Sequence, residues 1–469
     1  MTSPSSARRA TAVYLVLAGL QRGVSLLILP FISHAMSPPE YGGASVLTAT
    51  APLLVTLIAA PLESLVFRTA ARGGDDSPAL SRVAGLYCYA VVPAISAIAA
   101  AGAALFSHEL LGVTGAIWGI ELLAVGLLPA TTYYALPSVR ARHDLRKFIW
   151  LALTSALVTA TAKVLLVVVW KMGLLGWAIS DLISAVVSFI LAVVLVRLPR
   201  AHVLRRHIRE VANFSVPLIP HRASFWALSA LSRPVMALVS SLTQVGLLSF
   251  GINLASVAGL ILTEINQAVL PHYSRETFPA PTNETRSIVK WQLVLAFAVP
   301  ALVGAGLAIT GPWLLAESYW PSLQLTGILL CGQAAVGIYQ IPINYVVQAA
   351  GLPRFSAIAS VSGALFILIG ILVVGRQFGA TGAAYATVGG FVAMAVVAFV
   401  VAHAMGLSIR WAFWNTFWPE MLGGMAAMGC SIVALSYPAG SAPGRGLAAA
   451  SLILVSAALL LTSRRKLVQ

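Results

Sequence analysis

Long apolar runs, separated by short polar stretches, recur along the whole chain. A transmembrane helix needs about 20 consecutive apolar residues, and we expect fourteen such helices. They lie at about 13–35, 43–67, 82–106, 112–137, 149–170, 174–196, 212–238, 245–270, 289–310, 324–349, 355–375, 380–404, 415–437 and 446–463. No connection leaves room for a folded soluble domain of about 50 residues. The pattern predicts an all-α polytopic membrane protein.

The composition supports this prediction, because 59% of the residues are hydrophobic and only 9% are charged, whereas soluble domains have about 25% charged residues. The net charge of +15 reflects topology. If the N-terminus is cytoplasmic, the inner connections hold 22 of the 29 lysines and arginines, and the outer connections hold only Lys171, Arg376 and Arg445. This asymmetry follows the positive-inside rule. It predicts that both termini are cytoplasmic, and it removes the reason to infer nucleic-acid binding.

A basic loop, RLPRAHVLRRHIRE at 197–210, separates the sixth span from the seventh. The segments that open the two halves are alike, since each has a glycine-bearing outer turn, at Gly42 and Gly246. Transporters use parallel repeats of this kind to form a substrate site between two lobes. We therefore expect two pseudo-symmetric six-helix lobes and a C-terminal helix pair. Their predicted bounds are 1–200, 201–406 and, for helices 13 and 14, 407–469.

Four cations lie well inside the predicted spans, away from the inner connections, namely Arg22, Lys163, Arg222 and Arg233. A charged residue near mid-bilayer costs about 2.5–3.5 kcal/mol on insertion scales. Each cation therefore needs a carboxylate partner, a path to the interface, or a hydrated cavity. The first two explanations make a cation structural, and the third makes it a candidate substrate ligand.

Depth along the spans predicts which charges can pair. Lys163 and Asp181 lie on neighbouring spans at similar depth, and Glu264 is placed to meet Arg22 or Arg222. Water is expected to reach two further carboxylates within spans, Glu63 and Glu121, which lie closer to the span ends. These assignments leave surplus positive charge around the seventh span.

Two polar patterns favour a hydrated cavity. Arg222 and Arg233 are eleven residues apart, so a continuous helix would place them on one face, about 16 Å apart along its axis. Gln340, Asn344 and Gln348 recur every four residues, which gives one polar stripe on the tenth span. Such amides either bond between helices or bind sugar hydroxyls, and both interpretations remain open.

Four short motifs carry a family resemblance. PEYG at 39–42 follows the first span, SVPLIP at 215–220 opens the seventh, VG at 245–246 follows it, and QAVLPHYS at 267–274 ends the eighth. In these motifs the chain resembles the polysaccharide flippases of the multidrug/oligosaccharidyl-lipid/polysaccharide exporter superfamily. One departure is in LSRP, where Ser232 precedes Arg233 and the family often has an acidic residue.

The resemblance implies a transporter and not an enzyme. Such proteins move polyprenyl-diphosphate-linked oligosaccharides from the cytoplasmic to the outer leaflet by alternating access, here in a bacterial plasma (inner) membrane. The implied partners are this substrate, membrane lipids, a coupling ion (H⁺ or Na⁺) and other glycan-assembly proteins. The sequence has no nucleotide-binding glycine loop and no metal-ligand cluster, so no cofactor or metal is expected.

The expected roles combine this substrate with the charges inside the spans. Arg22 and Arg222 are expected to hold the diphosphate, with Arg233 and Lys163 assisting on the outer side. The other candidates are Gln340 and Asn344 for substrate binding, and Glu264 and Asp181 for ion coupling or charge pairing.

Two alternatives remain. A small-molecule or drug antiporter of the same superfamily would favour buried carboxylates for cationic substrates. A membrane-embedded glycan polymerase or ligase commonly needs a sizeable outer loop, and the outer connections are short.

Overall fold

The computed structural model describes residues 26–106, 108–275, 283–352, 354–406 and 418–464, and nearly all of these are helical. The α-helices are α1 (Leu26–Ala35), α2 (Pro38–Ile58), α3 (Leu62–Arg72), α4 (Ser77–Leu86), α5 (Val92–Phe106), α6 (Gly115–Pro129), α7 (Leu136–Ala141), α8 (Leu145–Lys163), α9 (Gly173–Leu195), α10 (Arg205–Ser215), α11 (Ile219–Ala230), α12 (Ser232–Val239), α13 (Leu242–Arg275), α14 (Asn283–Leu314), α15 (Pro321–Asn344), α16 (Arg354–Gly370), α17 (Arg376–Ala404), α18 (Trp418–Ser436) and α19 (Ala442–Arg464).

Short irregular elements complete the chain between these helices. The π-helical turns are Tyr87–Val91, Ala130–Ala135, Val164–Val169, Tyr345–Ala349 and Ile371–Gly375, and the 3₁₀ turns are Val216–Leu218 and Glu317–Tyr319. A two-residue antiparallel pair, β1 (Glu109–Leu110) and β2 (Val113–Thr114), joins α5 to α6.

The helices match the predicted membrane spans. Nine helical stretches within the described ranges are long and apolar enough to cross a membrane. One of them, Phe355–Ala404, covers two predicted spans, because the backbone leaves the helical conformation at Gly379 (φ 58°, ψ −139°). The remaining predicted spans lie on short or broken helices, namely α1, α2 with α3, α10 to α12, and α18. The all-α polytopic fold is confirmed, and its helix count agrees with about fourteen spans.

The seventh predicted span is divided into shorter elements. They are α10, a 3₁₀ turn, α11 and α12, and Leu231, between α11 and α12, keeps helical φ and ψ (−59° and −31°). Pro217 and Pro220 lie at the first break, where the missing backbone N–H groups and the fixed φ of proline disfavour a regular helix. This break lies before Arg222, so the shared face predicted for Arg222 and Arg233 stays a prediction.

The described residues fall into two compact units, one ending at Trp226 and the other beginning at Ala227, so that the boundary lies within α11. In the first unit, α9 packs against α6 and α8. Two π-helical turns place polar side chains on carbonyl groups of α9. Tyr89 Oη donates to the carbonyls of Ala192 (3.1 Å) and Val196 (2.9 Å), and Thr131 Oγ1 donates to Ser188 (2.8 Å). The carbonyl of Val196 lies just past the end of α9, where the helix supplies no N–H donor.

The PEYG motif positions α2 against α9 in the same unit. The Ser37 backbone N–H and Oγ both donate to Glu40 Oε2, at 2.8 and 2.7 Å, which caps the first turn of α2. Tyr41 packs edge-on against Trp177 with ring centroids 5.9 Å apart. Gly173 begins α9 at φ +55°, and a Cβ there would collide with Glu40 Oε1. The motif is therefore a packing element at the start of two helices.

In the second unit, buried polar contacts join helices that have little sequence amphipathicity. Lys290 Nζ on α14 lies 3.5 Å from Glu420 Oε1 on α18, and the Glu420 side chain is fully buried. Ser451 on α19 donates to the carbonyl of Ala427 on α18 at 2.8 Å. These contacts bind the last two helices to the unit, because a buried charge is stable only with a partner.

Candidate functional site

Among the described residues of the predicted spans, the most accessible charge pair joins Arg222 to Glu63. Pro61 precedes α3 and Glu63 lies in the first turn of that helix, where a carboxylate is favoured by the helix dipole. Arg222 on α11 donates from Nη2 to Glu63 Oε2 at 3.1 Å, and the two side chains are 33% and 35% exposed. The prediction that water reaches Glu63 stays a prediction. Sequence reasoning missed the pair itself.

Trp226 holds α11 one turn beyond Arg222. Its indole N–H donates to the carbonyl of Ala49 on α2 at 2.8 Å. This bond lies near Pro52, whose missing N–H weakens the local helical ladder of α2. The contact restricts α11 relative to α2, and it positions the guanidinium of Arg222 beside the carboxylate of Glu63.

The ion pair expected from depth, Lys163 with Asp181, is present in the first unit. Lys163 Nζ lies 3.0 Å from Asp181 Oδ1, and the side chains are 14% and 20% exposed. The same ammonium group lies 3.5 Å from the ring centroid of Trp177, one turn before Asp181 on α9. Carboxylate and aromatic face both stabilise the cation, so Lys163 is already well satisfied.

A further carboxylate, on Glu121, belongs to this group and was not foreseen. Glu121 lies on α6, which packs against α9, and its side chain interacts electrostatically with Asp181 and Lys163. The prediction that water reaches Glu121 is wrong, because the residue is only 2% exposed. Within the described part of the chain, Glu121 Oε2 has no hydrogen-bond partner. Its short distance from the span end was misleading, because neighbouring helices cover that end.

In the second unit, Arg233 begins α12 and donates from Nη2 to Asn253 Oδ1 on α13 at 3.3 Å. Glu264 lies further along α13 and is exposed. Gln340 is half-buried on α15, and Gln348 is exposed in the π-helical turn that follows. Arg22 lies outside the described residues, so the structure does not place it.

Asn344, the central amide of the predicted stripe, is part of a buried network. It is 4% exposed, and its Nδ2 donates to Asn266 Oδ1 at 2.7 Å. Gln292 Nε2 donates to the same oxygen at 3.0 Å, and Tyr273 Oη donates to Gln292 Oε1. The network joins α13, α14 and α15, as interhelical amide bonds do in membranes. Sequence reasoning missed Gln292 and Tyr273, which lie outside the apolar cores of their spans.

With this geometry in place, comparison with known proteins identifies the family. A family model described as polysaccharide biosynthesis protein matches residues 7–277, which is more than half of the chain. The chain belongs to the polysaccharide biosynthesis protein family. This result confirms the family that the PEYG and SVPLIP motifs indicate. No curated protein sequence matches the chain.

Solved structures share the fold of this polysaccharide biosynthesis protein. A structure described as lipid II flippase MurJ in an inward closed conformation has a TM-score of 0.71 at 12% identity, covering 98% of this chain and 100% of the other. An inward-facing multidrug resistance MATE family transporter of the MOP superfamily has a TM-score of 0.61 at 13% identity, covering 87% and 100%. The protein therefore has the multi-pass membrane fold of a flippase and of a transporter.

Proposed function

We propose that the protein flips a polyprenyl-diphosphate-linked oligosaccharide from the cytoplasmic to the outer leaflet of a bacterial plasma membrane by alternating access. In this proposal both termini are cytoplasmic, and Arg222 binds the diphosphate. The observation that carries the proposal is the Arg222–Glu63 pair, in which a guanidinium in a predicted membrane span is one-third exposed. Family membership over residues 7–277 supports a glycan-related substrate.

Chemistry favours a diphosphate as the competing partner of Arg222. A guanidinium binds phosphate oxygens through two parallel N–H donors, and its charge is retained at every physiological pH. A diphosphate carries more negative charge than the single carboxylate of Glu63. Substrate binding is thus an exchange, in which the diphosphate replaces Glu63 and the polyprenyl tail remains in the bilayer.

The other predicted ligands enter the proposal with different roles. Arg22 adds a second cation for the diphosphate, and Arg233, with Asn253 beside it, assists on the outer side. Lys163 contributes only after its bond to Asp181 is released, because the ammonium is otherwise held at 3.0 Å. Ion coupling by H⁺ or Na⁺ is proposed at Asp181, with Glu264 as the second coupling carboxylate.

The test is the Arg222→Ala variant in cells whose own flippase is depleted. Removing a charge-assisted phosphate contact costs about 1.5–3 kcal/mol, which corresponds to about a 10- to 100-fold loss of substrate affinity. Lipid-linked oligosaccharide should accumulate on the cytoplasmic face. Arg209→Ala, which removes an exposed arginine on α10, is the matched control and should export normally. Normal export by Arg222→Ala at normal protein level would contradict the role of this residue.

One observation favours a second function, ion-coupled export of a small cationic molecule. Glu121 is a buried carboxylate beside Asp181, and buried carboxylates suit cationic substrates. Transport assays in proteoliposomes distinguish the two functions. A flippase should move a fluorescent lipid-linked saccharide and leave a cationic dye in place, whereas an antiporter should export the dye and lose that activity in Glu121→Gln.

A further inference from the structure

A basic groove lies beside the second half of α4 in the first unit, and neither Arg222 nor Glu63 is among its lining residues. It has a volume of about 450 Å³ and is lined by Arg82, Leu86 and residues 200–203. Arg82 Nη1 donates to the carbonyl of Ala201 at 2.9 Å, which fastens the connection between α9 and α10 across α4. This hydrogen bond therefore holds one wall of the groove against α4.

The positive charge of the groove is not neutralised. Arg200 and His202 are exposed, and none of the described residues forms an ion pair with Arg200. The nearby carboxylate of Asp76 is engaged by Arg206 at 3.1 Å and by His207 at 3.2 Å. Among the residues that the structure describes, no acidic side chain lines the groove. An anion is the ligand that these side chains would attract.

The helical stretch that carries Arg82 has exposed apolar side chains beyond the groove. Leu86 lies one turn beyond Arg82 on α4, about 6 Å along the axis, and it is 40% exposed. Further along the same helical stretch, large apolar side chains are exposed at Val91, Ile95 and Ile98. A free inorganic anion would gain nothing from this surface, whereas an acyl chain would pack along it. The combination selects an amphiphile with an anionic head.

We propose that this groove binds the phosphate headgroup of an anionic phospholipid such as phosphatidylglycerol. Arg82 and Arg200 contact the phosphate, His202 adds a polar contact, and an acyl chain follows the exposed residues from Leu86 onward. Basic pockets at the membrane surface bind anionic lipids in this way. The site is separate from the proposed substrate contact at Arg222, so either proposal can fail without the other.

The experiment measures lipid binding to the purified full-length protein in detergent by native mass spectrometry. Phosphatidylglycerol and phosphatidylcholine are titrated against the wild type, the double variant Arg200→Ala/His202→Ala, and the control Arg197→Ala. Arg197 is exposed in the same connection but does not line the groove. Arg82 is left intact, because its bond to Ala201 holds the connection in place.

The wild type should prefer phosphatidylglycerol, and the double variant should lose about fivefold or more of that affinity, the factor expected for one surface arginine. Arg197→Ala should bind like the wild type. Equal losses in Arg197→Ala, or no loss in the double variant, would overturn the proposal. Displacement of phosphatidylglycerol by an equal concentration of farnesyl diphosphate would also overturn it, because the groove would then belong to the transported substrate.

Discussion

Replacing Glu63 by glutamine removes the negative charge that holds Arg222 and keeps the shape of the side chain. If the substrate diphosphate competes with Glu63 for the guanidinium, this variant should bind a prenyl diphosphate more tightly than the wild type. An increase in affinity would be informative, because most substitutions at a binding site weaken binding. A tighter complex should also release its substrate more slowly, so flipping should fall.

The size of the effect follows from the geometry of the pair. At the observed separation of 3.1 Å, two unit charges attract by about 5 kcal/mol at an effective dielectric constant of about 20, before desolvation. Fully exposed ion pairs contribute about 0.2–1 kcal/mol. Because each side chain is one-third exposed, we expect the competition to cost substrate binding about 1–2 kcal/mol, which is about 5- to 30-fold in Kd.

Isothermal titration calorimetry with farnesyl diphosphate, on the full-length protein in detergent, measures this Kd. Glu210→Gln is the matched control, because Glu210 is an exposed carboxylate on α10, and it should leave the Kd unchanged. Adding Arg222→Ala to Glu63→Gln should abolish the gain. An unchanged or higher Kd in a folded Glu63→Gln protein would refute the exchange between carboxylate and diphosphate.

Three further predictions concern stability, measured by thermal unfolding in detergent. Lys163→Met should destabilise the protein by about 3 kcal/mol, because it leaves the carboxylate of Asp181 unpaired. Adding Asp181→Asn should restore part of this stability. If the two substitutions instead destabilise the protein additively, Lys163 and Asp181 are not coupled. Asn266→Leu should cost about 2–3 kcal/mol, because two buried amides lose their acceptor; a loss below about 0.5 kcal/mol would contradict a structural role for the network. Gly173→Ala should cost more than about 1 kcal/mol at its positive φ, whereas Gly102→Ala, where a Cβ meets nothing within 4 Å, should be neutral or stabilising.

The breaks in the helices show how far the sequence informs the fold. Prolines mark the positions where α3 begins after Pro61 and where α11 begins after Pro217, so the sequence indicates an interruption at both places. The boundary between α11 and α12 has no comparable signal, and it is a slight irregularity, because Leu231 keeps helical φ and ψ and its N–H donates to the carbonyl of Ala227 at 3.2 Å. Helical propensity is a weak guide at such points, and tertiary packing decides the local conformation.

The candidate site was recovered only in part, for a related reason. The depth of a residue in the membrane follows from its position along a span, so the Lys163–Asp181 pair could be predicted from the sequence. The partner of Arg222 is 159 residues away, and its choice depends on which faces of α3 and α11 meet. The burial of Glu121 likewise depends on the helices that cover it.

The sequence by itself determined that this is a multi-pass helical membrane protein, since about 20 apolar residues are needed for each crossing and the chain repeats such runs from end to end. It also determined the family, because PEYG and SVPLIP lie where the chain begins two of its helices. Only the tertiary structure decided that Arg222 meets Glu63 and that Glu121 is buried beside Asp181. The hydropathy of a helix does not indicate how the helix is rotated about its axis or which helices pack against it. An ion pair forms only when the rotation and the packing place the two charged groups within a few ångströms of each other.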